Sequence, residues 1–77
     1  MTYEEMTEIF SRMVHLECAF YYNDMLQERD NLRPFFKRLA LFYDDDKIKK
    51  DCEKILTKYS KLIKEYDDKH QIKLIEK

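Results

Sequence analysis

This chain predicts an all-α protein: a small helical bundle of two long antiparallel helices with one short aromatic-rich helix between them, an arrangement that dimerisation can complete. Three observations carry that prediction. The 77 residues include no glycine and a single proline, Pro34, so left-handed turns, hairpins and phosphate-cradling loops lack the residue that adopts them without steric cost. Apolar side chains recur at helical spacing over long stretches. The most strand-like run, around Phe35 and Phe36, has no partner strand to pair with. At this length the chain predicts one helical domain over 1–77, near the size at which a single core is barely sufficient.

The first helix is predicted over residues 3–29. Thr2 suits its N-cap and Glu5 completes a capping box, with Glu4, Glu5 and Glu8 at the positive end of the helix dipole. Tyr3, Met6, Ile9, Phe10, Met13, Val14, Leu16, Phe20 and Tyr21 form a wide apolar arc, which rotates from Cys18 onward until Tyr22 and Met25 join it. A helix with so broad an arc is expected to be buried on two sides.

Asp30 and Asn31 are expected to end that helix, with Pro34 in the first turn of the next, over 34–43, where its missing N–H costs little. Phe35, Leu39, Phe42 and Tyr43 cluster there at helical spacing, and Leu41 points elsewhere. Continued through Asp44-Asp45-Asp46, the same helix would put Ile48 roughly 140° from Phe35 and Phe42, so the apolar phase breaks. The acidic triplet therefore reads as a turn and the N-cap of a third helix. It lacks the alternating ligands and glycine of a calcium loop.

The third helix is predicted over 46–68. Ile48, Cys52, Ile55, Tyr59, Leu62 and Tyr66 repeat as a heptad seam, widened by Leu56 and Ile63. Past Tyr66 the seam fails, and residues 69–77 are expected to fray.

Apolar residues make up 44% of the chain and charged residues 40%, enough of each for a core with solvated outer faces. Cys18 and Cys52 have no paired spacing, no basic stretch leads into an apolar run, and no window reaches the roughly eighteen apolar residues of a membrane span. The expectation is a cytoplasmic, soluble protein with reduced thiols. The net charge of −1 hides a split. Residues 1–31 hold seven acids against Arg12 and Arg29, a balance of −5, whereas residues 32–77 hold thirteen bases and nine acids, a balance of +4. The halves can neutralise each other, or the basic half can meet an acidic partner.

No catalytic or metal motif stands out. Glu17 and Asp24 lie two turns apart, but the Glu-x-x-His pairing of a di-iron helix is missing, since Phe20 sits at that offset. His15 with Cys18, and Asp67 with His70, are isolated i, i+3 pairs without the further ligands zinc requires. Nothing basic in its own helix activates the Cys18 thiol. The chain is therefore read as non-enzymatic, with no cofactor and no metal.

Two surfaces remain. Lys47, Lys50, Lys54, Lys58 and Lys61 form a basic face on the third helix, interleaved with Asp51, Glu53 and Glu65. Such a stripe could follow a phosphate backbone, although the interleaved acids and a pI of about 6.1 argue for an ordinary solvated face. The second is an aromatic surplus. Phe20, Tyr21, Tyr22, Phe35, Phe36, Phe42 and Tyr43 crowd into one stretch, and neighbours such as Tyr21 and Tyr22 diverge by about 100°. Phe20, Tyr21, Tyr22, Phe35, Phe36 and Tyr43 are thus the expected partner-binding residues. The function expected is a small module that binds and regulates, as an inhibitor, another protein through this aromatic surface. Two alternatives are a homodimeric module paired through the heptad seam and a nucleic-acid-binding regulator using the lysines.

Overall fold

A computed structural model describes residues 2–70 and contains four helices: α1 (Tyr3–Tyr22), α2 (Leu26–Leu41), α3 (Asp46–Lys58) and α4 (Ser60–His70). No strand occurs among the described residues. The all-α class is as the sequence predicts; the number and limits of the helices are not.

α1 begins with the expected capping box. The Glu5 N–H donates to Thr2 Oγ1 at 3.1 Å and the Thr2 N–H donates to Glu5 Oε1 at 3.0 Å. It ends at Tyr22, seven residues before the predicted limit. The reason is a Schellman turn: the Met25 N–H donates to the Phe20 carbonyl at 2.7 Å and the Asp24 N–H to the Tyr21 carbonyl at 3.1 Å. Asp24 takes the left-handed position, with φ of 60°. Aspartate enters that region more readily than most residues, so a chain without glycine can still close the turn. Asn23 reinforces it by donating from Nδ2 to the Ala19 carbonyl at 2.8 Å.

α2 spans the site where a helix boundary was expected. Pro34 lies inside it, not in its first turn. Pro34 is exposed, so the carbonyl of Asp30, freed by the missing N–H, sits on the solvated side, where water can meet it.

α3 starts where the acidic triplet predicts, with Asp45 as N-cap accepting from the Lys47 N–H at 3.0 Å. The predicted long third helix is interrupted at Tyr59, whose φ and ψ of −110° and 22° leave the helical well. The interruption is slight. The Tyr59 N–H still donates to the Ile55 carbonyl at 3.1 Å, and the Tyr59 carbonyl accepts from the Ile63 N–H at 3.0 Å. Lys69 and His70, expected to fray, belong to α4; the rest of the predicted tail, 71–77, lies outside the described residues.

Pair contacts give the direction of each helix. Tyr3 meets Tyr43 and Phe10 meets Phe36, so α1 and α2 are antiparallel. Arg38 pairs with Asp51 at 3.3 Å, and Phe35 shares a groove with Ile55, so α2 and α3 are antiparallel too. Glu5 pairs with Lys49 and Phe20 packs on Tyr59, so α1 and α3 run the same way. The first and third helices are therefore not the antiparallel pair expected: the middle helix is long enough to reverse the chain completely on each side.

The core joins Ile9, Met13, Leu16 and Phe20 of α1 to Leu32 and Leu39 of α2 and Ile48, Cys52 and Leu56 of α3. These spacings of three, four and seven are one face of each helix. α4 contributes no fully buried residue. Its Leu62 and Ile63 pack half-buried against the core edge.

Candidate interaction surfaces

The predicted aromatic surface divides into three fates. Phe20 does not belong to it: the residue is 1% exposed, with its ring edge-on to Tyr59 at 4.9 Å. Its place two turns after Met13 and one after Leu16 puts it on the core face. Phe35, half-buried, packs against the core with the Arg38 guanidinium 5.7 Å from its ring. The other four separate to opposite ends of α1, because the antiparallel α1–α2 hairpin carries Phe36 and Tyr43 towards Tyr3 and away from Tyr22.

At one end lies a tyrosine tip. Tyr21 is 65% exposed and Tyr22 48% exposed. Both project from the last turn of α1, a full residue apart on the helix, so both cannot enter one core. Each ring is nevertheless held. The Arg29 guanidinium lies 5.3 Å from the Tyr21 ring and the Lys69 ammonium 5.6 Å from the Tyr22 ring. Tyr22 also meets Tyr66 at 5.8 Å and His70 at 4.5 Å, both edge-on, and those two rings lie 4.3 Å apart. A groove of about 500 Å³ runs between them, lined by Glu17, Cys18, Tyr21, Tyr22, Arg29 and Tyr66. Burial, and then the neighbouring Cys18, hold the Tyr66 phenol above its ordinary range. One turn back along α1, His15 Nδ1 lies 3.4 Å from Asp67 Oδ1 and ties α1 to α4 again.

At the other end, α1 and α2 present an apolar face. Tyr3 is 67% exposed, Leu41 63% and Phe42 54%, and Phe10 is exposed as well. The Tyr3 and Tyr43 rings meet edge-on at 6.3 Å and those of Phe10 and Phe36 at 5.2 Å. A groove of about 400 Å³ lies here, lined by Tyr3, Met6, Thr7, Phe10, Ser11 and Ala40. Helical spacing puts Tyr3 and Phe10 in the core arc of α1 and leaves Leu41 outside the aromatic cluster of the next helix. The pairing of α1 with α2 sets Tyr3 and Phe10 against Tyr43 and Phe36 and beside Ala40.

All five lysines of the basic face are exposed. Lys50, Lys54 and Lys58 border a shallow groove with Glu53 and Thr57, Lys47 stands at the start of α3, and Lys61 lies beyond the interruption at Tyr59. The heptad seam is not available for pairing with a second chain along its length. Ile48 and Cys52 are buried in the monomer's own core, Ile55, Tyr59 and Leu62 pack at its edge, and Tyr66 lines the tyrosine tip.

Glu17 and Asp24 serve separate places, the groove and the turn. Among the described residues no group of three or more His, Cys, Asp or Glu side chains is placed to hold a metal ion. Both thiols are free; Cys18 is exposed, whereas burial within the core pushes the Cys52 thiol up. Among the same residues no helix is long and apolar enough to cross a membrane. No family model, curated protein or solved structure matches the chain.

Proposed function

We propose that the protein is a small non-enzymatic interaction module that binds another protein, and inhibits or otherwise regulates it, through the tyrosine tip. The observation that carries this reading is that Tyr21 and Tyr22 are exposed yet held, the first under Arg29 and the second among Lys69, Tyr66 and His70. Tyrosine and arginine are the residue types that concentrate binding energy in interfaces. Rings already fixed in the free protein lose less freedom when a partner arrives. Their polar tips also tolerate water, which suits a surface that is bare until it is used.

Charge selects the partner. A cation stands over each tyrosine of the tip, against Glu17 in the groove lining and Asp30, 3.6 Å from Arg29. The fitting occupant is an acidic protein segment that places one apolar side chain in the groove and its carboxylates against Arg29 and Lys69.

A random-peptide display library panned on the immobilised protein tests this. Enriched peptides should carry Asp or Glu beside an aromatic or aliphatic residue, and their binding should weaken with salt. Tyr21→Ala and Tyr22→Ala should each weaken binding about tenfold or more while leaving the helical circular dichroism unchanged. Peptides that bind both variants as well as the unmodified protein would sink the proposal.

A further inference from the structure

We infer that the apolar face of α1 and α2 is covered by a second copy of this chain, with the two α1 helices antiparallel about a two-fold axis near Thr7 and Glu8. This surface differs in kind from the tyrosine tip. Phe10 has no polar tip to satisfy, and with Tyr3, Met6 and Ala40 it lines an apolar groove that is open in the monomer. Interfaces that stay closed are richer in such residues than those that open and close.

The pattern of charge along α1 names the occupant. Tyr3, Thr7 and Ser11 form a ridge, one turn apart, with the apolar groove on one side. On the other side the ridge borders a second groove, which Glu4, Glu8 and Arg12 complete. None of those three charged residues has an ion-pair partner among the described residues. A two-fold interface must be complementary to itself, so that what residue i meets in j, j also meets in i. An antiparallel α1 pair meets that condition. Glu4 and Arg12 are about 12 Å apart along the helix, and reversal about an axis level with Glu8 sets each Arg12 opposite Glu4 of the other copy. The two Glu8 carboxylates approach each other beside the axis, each with an Arg12 within one turn. Thr7 and Ser11 are short enough to let the two backbones come close, and Phe10 of each copy then covers Met6 of the other.

Sedimentation equilibrium or light scattering over a concentration series tests this on the full chain. The expected result is a dimer at low micromolar concentration. Thr7→Arg at the axis and Arg12→Glu should each weaken it about tenfold or more with helicity retained. Reversing all three charges together, with Glu4→Lys, Glu8→Lys and Arg12→Glu, should restore it. A single-chain mass up to high micromolar concentration overturns the inference. So does a dimer indifferent to both single substitutions, or a folded triple variant that stays monomeric. Where the triple variant loses helicity, the single substitutions decide alone. None of these residues touches the tyrosine tip, so peptide binding there is read independently.

Discussion

The ring of Tyr59 stands edge-on to the ring of Phe20, 4.9 Å between centroids and 89° between planes. That contact joins the fully buried middle of the molecule to the point where α3 gives way to α4. Phe20→Ala should therefore lower unfolding stability by about 3–5 kcal/mol, the cost of emptying a packed aromatic site. Tyr22→Ala, at an exposed ring two residues on, should cost less than about 1 kcal/mol. Urea unfolding of the two variants side by side measures the contrast. Equal losses would mean that Tyr22 is a core residue after all.

The turn after α1 holds an aspartate where glycine would sit at least cost. Asp24→Gly should raise stability by about 0.5–1 kcal/mol, and Asp24→Val should lower it by more than that, since a branched side chain resists positive φ. Denaturant midpoints at constant slope give both values.

Pro34 removes one hydrogen bond from the interior of α2. Pro34→Ala should recover it and raise stability by about 1–3 kcal/mol, net of the freedom alanine restores to the unfolded chain. Thermal unfolding followed by helical circular dichroism is the direct measurement. A fall in midpoint would show that the proline ring packs in a way the alanine cannot replace.

Glu5 is held below the ordinary carboxylate range by its hydrogen bond with the Thr2 backbone and then by Lys49, 3.5 Å away. A carboxyl lowered in the folded state contributes fully above its unfolded value near 4.5 and loses that contribution as pH falls through the lowered folded value. Glu5→Gln should remove this part of the acid dependence, so its urea midpoint falls less steeply than that of the parent protein below that pH. Parallel curves would mean that the cap does not couple to folding.

The two thiols should behave oppositely. Cys18 is exposed and Cys52 buried, so a thiol reagent should modify one cysteine rapidly and the second only as the chain opens. Because the Cys52 thiol is raised in the folded state, its contribution to stability is complete below the ordinary thiol value and declines as pH rises towards the raised one. Cys52→Ala should blunt that alkaline decline.

What was legible in the sequence was local. Thr2 with Glu5 and the N-cap at Asp45 are recognisable because a cap needs only residues within one turn of itself. The buried lines Ile9, Met13, Leu16 and Phe20 of α1 and Ile48, Cys52 and Leu56 of α3 lie within the arcs that spacing predicts, whereas Tyr3, Phe10 and Tyr21 of the α1 arc are exposed. What escaped was settled by context. Asp24 in the left-handed region and Pro34 inside α2 both run against local preference, and packing on either side overrides that preference. The aromatic surface divided for a related reason: residues near in sequence, such as Tyr22 and Phe36, are sent to opposite ends by the hairpin, whereas Phe10 and Phe36 are brought to 5.2 Å. Register between helices is a property of the folded chain, not of any window along it.

Because α4 has no fully buried side chain, it should open before the other three helices unfold. Among the described residues, amide exchange would then be fastest within α4, where trypsin would cut at Lys61, Lys64 or Lys69 before it cuts in the other helices. Two rings of the tyrosine tip, Tyr66 and His70, ride on this opening segment. Any ligand that grips the tip selects the docked state and must slow exchange throughout α4 by the same mass action that makes it bind. Protection of α4 is thus a gauge of occupancy that needs no knowledge of what the ligand is.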